Sequence, residues 1–126
     1  MEASLLARFD ALIASQGYTN RSEAIRDLVR DRLVEARWED TGVEVPAVVA
    51  LVFDHDMRLL GDQMTNMQHG HADLVIASMH VHLDDHNCLE ITVMRGASQR
   101  VRDLAQRMLS LRGVKHGRLV MTGSAD

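Results

Sequence analysis

The sequence contains only one cysteine, Cys88, and only one proline, Pro46, in 126 residues. A single cysteine excludes an internal disulfide and fits a reducing compartment. No run approaches the roughly 18 apolar residues of a membrane-spanning helix, which argues against an integral membrane protein of that kind. An acid, Glu2, stands where a secretory signal peptide carries a base. We therefore expect a soluble, cytoplasmic protein without a membrane partner.

The sequence also lacks an excess of positive charge. Its 14 Lys and Arg residues face 18 Asp and Glu residues, which gives a formal net charge of −4. This balance argues against general coating of nucleic acid, so any DNA contact must come from a few placed side chains. The hydrophobic fraction of 46% and charged fraction of 25% are those of a globular chain, whose length suits one ordinary domain or two small ones.

Residues 1–38 carry the apolar spacing of two helices. Gly17 ends the first helix, and Asn20 is placed to cap the second, with Glu23 in the position of a capping box. One interpretation is a helical hairpin that rests on the second domain. We favour an intertwined dimer, because so small a pair buries little apolar surface alone. The apolar stripes consist of Leu5, Leu6, Phe9, Leu12 and Ile13 in the first helix and Ala24, Ile25, Leu28, Val29, Leu33 and Ala36 in the second.

The pattern changes at residues 38–42, which predicts two domains, 1–40 and 43–126. The second domain has the pattern strand, helix, strand, strand, helix, strand, with a turn at residues 84–87 and a strand end at Gly96. That order is typical of an α+β, ferredoxin-like βαββαβ fold, in which a four-stranded antiparallel sheet carries two helices on one face. The predicted elements cover residues 45–53, 57–68, 73–83, 88–94, 98–111 and 114–121.

All seven histidines follow residue 54, and the segment His80-Val81-His82 is central to them. Residues i and i+2 of a strand point to the same face, so the two imidazoles project together. If residues 84–87 form a hairpin turn, Cys88 lies opposite His82 and its sulfur can face the same ion. Taken alone, the two histidines fit an exposed pair and the cysteine fits a packed side chain. Their combination predicts a binding site for a late transition metal: zinc, copper or nickel.

Other residues near this segment are weaker candidates by position alone. His69 and His71 follow the first helix of the second domain, where a helix C-terminus favours positive charge without any metal. His55 lies between two acids at a strand end and can support a secondary metal site. Glu90, shortly after Cys88, is placed to orient a ligand histidine through a hydrogen bond.

Five segments resemble the nickel-responsive regulators of the NikR family, and together they extend over nearly the whole chain. They are GYTNRSEAIRD at 17–27, HGH at 69–71, HVH at 80–82, CLEI at 88–91 and RGVKHG at 112–117. The HVH and CLEI segments are highly specific, whereas the first segment is shared in looser form with other ribbon-helix-helix repressors.

The resemblance implies one Ni(II) per subunit in a square-planar site of three imidazole nitrogens and one thiolate sulfur. The residues that match those ligands are His80, His82 and Cys88 of one subunit and His69 of a neighbouring subunit. The positions that match secondary metal sites are Glu23, Asp27, His55 and His71. A ribbon-helix-helix domain followed by an ACT-like nickel-binding domain is implied, assembled as a homotetramer (a dimer of dimers). Such a protein is not an enzyme; with nickel it binds a palindromic DNA operator and represses nickel uptake.

The chain departs from the family pattern at its start. Ribbon-helix-helix proteins read base edges with a strand before the first helix, and no alternating basic and polar strand precedes Leu5. Either the encoded protein begins upstream of Met1, or specific operator reading is lost and the chain is a nickel-binding tetramer without DNA function. The segment Asn20-Arg21-Ser22 can still hold a DNA phosphate at a helix N-terminus.

Overall fold

The computed structural model describes residues 1–40 and 42–123. Two helices precede a sheet domain, and the order of elements is the α+β order that the sequence predicts. The elements are α1 (Ala3–Ser15), α2 (Arg21–Trp38), β1 (Glu44–Asp54), α3 (Arg58–His69), β2 (Val75–His82), β3 (Asn87–Ala97), α4 (Ser98–Leu109) and β4 (Val114–Met121).

The connection between α1 and α2 follows its predicted chemistry. Gly17 has a φ of 88°, a left-handed conformation that glycine adopts without strain, and it ends α1. The Asn20 side chain accepts a 2.9 Å hydrogen bond from the Glu23 amide and caps α2. Within the described residues no strand precedes α1. The apolar stripes stay largely open to solvent, with Leu5, Leu12, Ile25, Leu28, Val29 and Leu33 all exposed.

The sheet domain is a single antiparallel sheet in the strand order β2-β3-β1-β4. This is the strand order of the ferredoxin-like fold that the element order predicts. Burial alternates along β1, because successive side chains of a strand point to opposite faces and only one face packs against α3 and α4. The buried β1 residues are Val45, Ala47, Val49, Leu51 and Phe53.

Gly96 corrects one sequence-based expectation. The sequence predicts that the strand after the turn ends at Gly96, whereas β3 continues through it to Ala97. The reason is steric: a Cβ at residue 96 would lie 2.3 Å from Leu74 Cδ2, so glycine allows the Leu74 side chain to pack against the strand. The glycine therefore marks a close approach rather than a strand end.

Several hydrogen bonds join the end of α2 to the start of α4. Ser98 Oγ donates to the Asp40 carbonyl at 2.9 Å, and Arg102 Nη2 donates to the Trp38 carbonyl at 2.9 Å. The Ser98 amide also donates to the Val43 carbonyl at 2.9 Å. These bonds place the connection between the helical pair and the sheet domain against α4. Among the described residues, none of the helices is both long and apolar enough to span a membrane.

Candidate metal centre

The hairpin of β2 and β3 has the register that the sequence predicts. His82 pairs with Cys88, and His80 pairs with Glu90, so all four side chains lie on the face that carries α3 and α4. The turn is held by Asp84, whose Oδ1 accepts hydrogen bonds from the His86 amide at 2.8 Å and the Asn87 amide at 2.9 Å. The predicted register, which puts both imidazoles and the thiol on one face of the hairpin, is therefore confirmed.

Two donor atoms of the centre, His82 Nδ1 and Cys88 Sγ, lie 3.5 Å apart. Metal–nitrogen and metal–sulfur bonds of about 2.1 and 2.3 Å put adjacent ligand atoms about 3.1 Å apart at a right angle and about 3.6 Å apart at a tetrahedral angle. The observed separation lies within that range. The two side chains thus fit a shared late transition metal ion, and without metal the thiol can donate its hydrogen to the imidazole.

The Cys88 side chain is fully buried. Burial raises the pKa of the Cys88 thiol above its usual value, and the nearby negative charges of Asp84 and Glu90 raise it further. A thiol in such surroundings stays protonated and unreactive until a cation replaces its proton. The centre is therefore suited to bind a metal ion with release of a proton.

His55 is the third member of this cluster. Donor atoms of His55, His82 and Cys88 all lie within 4.8 Å of one another, the one such group of at least three His, Cys, Asp or Glu residues among residues 1–40 and 42–123. The His55 amide donates to the His86 carbonyl at 2.9 Å, and its ring meets that of His82 edge to face at 5.3 Å. The sequence predicts only a secondary metal role for His55, and the structure places its donor atoms close to those of His82 and Cys88.

His80 lies beside this group but outside it. Its ring centroid is 5.6 Å from that of His82, and its Nδ1 lies 3.0 Å from Glu90 Oε2. The expected contact between Glu90 and a histidine of the strand is thus present. With Nδ1 used in this way, Nε2 is the nitrogen of His80 that remains to bind a metal ion.

His69 and His71 have different surroundings. His69 is the last residue of α3 and is exposed, and it lines a cleft of about 350 Å³ whose walls also include His80 and Glu90. His71 is partly buried, and its Nδ1 lies 2.8 Å from the Met67 carbonyl oxygen. When Nδ1 carries the hydrogen, it can donate to this carbonyl of the last turn of α3. Neither residue belongs to the three-membered group of donors found in the described part of the chain.

Several of the candidate DNA-contact and secondary-metal residues in the helical pair form hydrogen bonds within the chain. Arg21 donates from Nε and Nη2 to the two carboxylate oxygens of Asp10 at 2.8 and 2.7 Å. Asp27 accepts a hydrogen bond from the Tyr18 hydroxyl at 2.5 Å. Asn20 serves as the cap described above, while Ser22 and Glu23 are exposed at the start of α2. The Arg21–Asp10 pair joins residues far apart in sequence, so no local pattern predicts it.

Comparison with known proteins agrees with the two-part architecture. Residues 46–122 match the model of the NikR C-terminal nickel-binding domain, and residues 1–36 match that of ribbon-helix-helix proteins of the copG family. Among solved structures, an uncharacterised protein from Thermotoga maritima superposes with a TM-score of 0.56 at 11% identity, covering 63% of this chain and 98% of that one. That likeness concerns the fold alone.

Full-length relatives are much closer in sequence. Proteins named as nickel-responsive regulators from Caldanaerobacter subterraneus and Geobacter sulfurreducens are 48% and 50% identical over all 126 residues, which cover 82% and 91% of their own lengths. One from Thermococcus kodakarensis is 47% identical over 95% of this chain and 87% of its own. The chain therefore belongs to the NikR family, in which a ribbon-helix-helix domain is joined to a nickel-binding C-terminal domain.

Proposed function

We propose that this chain is a nickel-dependent transcriptional regulator that binds a palindromic operator and represses nickel uptake. The observation that carries the proposal is the pairing of His82 with Cys88, which places an imidazole nitrogen 3.5 Å from a buried thiol. Family membership and the names of the relatives favour nickel over the other late transition metals. In a cytoplasmic regulator, a change in nickel supply would then alter the affinity for DNA.

The primary site would use His80, His82 and Cys88 of one subunit and His69 of a neighbour, with one Ni(II) per subunit. His80 and His82 share a face, and His69 is exposed at the end of a helix, where another chain can approach it. Four protein ligands would fill all four in-plane positions of a planar ion, leaving none of them for a substrate. That arrangement supports a sensor rather than an enzyme.

His55 offers an alternative third ligand from within the chain. Its donor atoms lie within 4.8 Å of those of His82 and Cys88, whereas an inter-subunit site needs assembly first. We therefore propose that His55, with His82 and Cys88, forms a secondary site that is an alternative to the primary one when no neighbouring subunit supplies His69. His71, Glu23 and Asp27 are proposed as further secondary positions on the family resemblance alone.

The unpaired apolar surfaces favour assembly into a homotetramer. The helices α3 and α4 cover one face of the sheet, and the opposite face carries apolar side chains that these helices leave uncovered: Ala50, Val52, Met79, Leu89, Ile91 and Val93. The exposed stripes of α1 and α2 form a second such surface. Two copies joined through the helical pairs, and two such dimers joined through the sheets, would cover both.

DNA binding is assigned to the ribbon-helix-helix domain. The start of α2, with Asn20, Arg21 and Ser22, presents backbone amides that can hold a phosphate. Asp10 already neutralises Arg21 in this structure, so Arg21 would have to leave that pair to contact a phosphate. Because breaking this ion pair costs free energy, we favour phosphate binding by the backbone amides of the helix N-terminus over phosphate binding by the Arg21 guanidinium.

A site-selection experiment tests the regulator against the alternative, a nickel-binding tetramer without DNA function. The full chain would be incubated with a random double-stranded DNA library, once with Ni(II) and once with EDTA. Enrichment of a palindrome only with nickel supports the proposal. Tight nickel binding without enrichment in either condition would instead support the tetramer without DNA function.

A further inference from the structure

A buried hydrogen-bond network connects the last turn of α3 to His80. Gln68 Nε2 donates to Glu90 Oε1 at 2.9 Å and to Thr92 Oγ1 at 3.0 Å. The other carboxylate oxygen of Glu90 lies 3.0 Å from His80 Nδ1. Gln68, Glu90 and Thr92 are all buried, whereas His80 is exposed. The network therefore extends from inside the domain to an imidazole at its surface.

The chemistry of the network determines which nitrogen of His80 carries hydrogen. The amide group of Gln68 has two hydrogens, and the two contacts of Nε2 use both. An ionised Glu90 can only accept hydrogen bonds, so the nitrogen that faces Oε2 must be the protonated one. In the neutral ring this leaves Nε2 unprotonated and available to a metal ion.

We propose that Gln68 is a positioning residue for the metal centre: by holding Glu90, it fixes His80 in the Nδ1-protonated tautomer with Nε2 free to bind. The inference rests on the proposed function in that His80 is taken as a nickel ligand. Gln68 directly precedes His69 in α3, so the same bond ties the hairpin ligands to the helix end that presents the proposed fourth ligand. Loss of the Gln68–Glu90 hydrogen bond would disturb both the hairpin ligands and the end of α3.

The tautomer can be measured in the full-length protein without metal. Long-range proton–nitrogen NMR correlations distinguish Nδ1–H from Nε2–H in a labelled histidine, and we expect Nδ1–H at His80. Gln68→Met keeps the length of the side chain and removes its amide. We expect this variant to lose the single tautomer and to bind Ni(II) about 10- to 100-fold more weakly, as is usual when a hydrogen-bond partner of a ligand is lost.

Two matched controls separate positioning from packing. Thr92→Val disturbs the same buried network but leaves the Gln68–Glu90 bond, and Gln63→Met makes the same substitution at an exposed position of α3. Both should keep the tautomer and stay within about twofold of the wild-type nickel affinity. An unchanged tautomer in Gln68→Met, or an equal loss in Thr92→Val, would overturn the proposal.

A second pair of variants tests the same idea if Gln68→Met does not fold. In Glu90→Gln, the donor on Gln68 should turn the new amide oxygen towards itself, so that the new NH₂ faces His80. His80 should then change to the Nε2–H tautomer. Adding Gln68→Met should release that orientation and restore Nδ1–H at least in part; no change in either variant would contradict the proposal.

These measurements also distinguish the proposal from the proposed function. The tautomer is recorded in EDTA, so it decides the positioning role even if the wild-type protein binds no nickel. If the tautomers change as expected while wild-type nickel binding is absent, the proposed function fails and the effect of Gln68 on His80 stands. If nickel binds tightly and Gln68→Met alters neither readout, only the positioning role fails.

Discussion

His82 and Cys88 face each other across the β2–β3 hairpin, with Nδ1 and Sγ 3.5 Å apart. The turn at Asp84 sets this register, and the burial of Cys88 keeps its thiol away from water. A flexible chain would pay a large entropic cost to bring these donors together, whereas the hairpin holds them together before any ion arrives. In the proposed site, His80 and the His69 of a neighbouring subunit would complete the ligand set around this pair.

Removal of the thiol should abolish tight nickel binding and leave the fold intact. In Cys88→Ala we expect the affinity to fall by more than the roughly 10- to 100-fold typical of losing an outer hydrogen-bond partner. Competition against a chelator of known affinity measures this, with circular dichroism to verify the fold. His86→Ala is the matched control, because its pair with Asp56 is exposed and worth little; it should bind nickel almost as the wild type does.

The origin of the fourth ligand can be tested by mixing two inactive variants. His69→Ala and Cys88→Ala should each bind nickel weakly. If His69 serves a neighbouring subunit, tetramers reconstituted from both variants contain some complete sites and recover tight binding. If every ligand comes from one chain, mixing restores nothing, and His55→Ala should then be the more damaging single change.

The pair of His86 with Asp56 predicts a measurable pH dependence. The hydrogen bond and the charge of Asp56, 2.7 Å away, raise the pKa of His86 above its usual value, with a smaller contribution from Asp84. Because the folded pKa is the higher one, the stabilisation is complete below the unfolded value of about 6.5 and is lost as the pH rises through the folded pKa. An NMR titration of the metal-free protein should show the raised pKa, and Asp56→Asn should lower it; equal values in both proteins would refute the assignment.

Two glycines should respond in opposite ways to alanine. A Cβ at Gly117 would lie 2.7 Å from Leu51 Cβ and 2.8 Å from the Ala50 carbonyl oxygen, and neither can move easily. We expect Gly117→Ala to lower the free energy of unfolding by about 1–3 kcal/mol. Gly61→Ala, within α3 and with nothing within 4 Å of the new Cβ, should raise it by about 0.5–1 kcal/mol. Urea denaturation checks both, and a neutral Gly117→Ala would contradict the close approach of β4 to β1 at Gly117.

Local patterns predicted the fold and the hairpin, because the information needed was close in sequence. The two strands, the turn at residues 84–87 and the alternation of side chains together set His82 opposite Cys88. The capping role of Asn20 and the helix start at Ser98 were predicted for the same reason. The inter-subunit role of His69 came from the family resemblance alone and stays a prediction.

Local sequence patterns do not predict contacts between segments that are far apart in the sequence. His55 joins the donor group only because β1 pairs with β3, which places Phe53 beside Cys88. Arg21 pairs with Asp10 across the helical hairpin, which a reading of the helix start alone does not reveal. The strand end predicted at Gly96 is wrong because the packing of Gly96 against Leu74 depends on the tertiary structure.

X-ray absorption spectroscopy of the nickel-loaded protein tests whether a buried thiolate and same-face imidazoles of one hairpin bind the ion. We expect a four-coordinate, planar Ni(II) with one sulfur and three nitrogen neighbours. In Cys88→Ala the sulfur shell should vanish. A six-coordinate shell of oxygen and nitrogen in the wild-type protein, with no sulfur, would contradict this expectation.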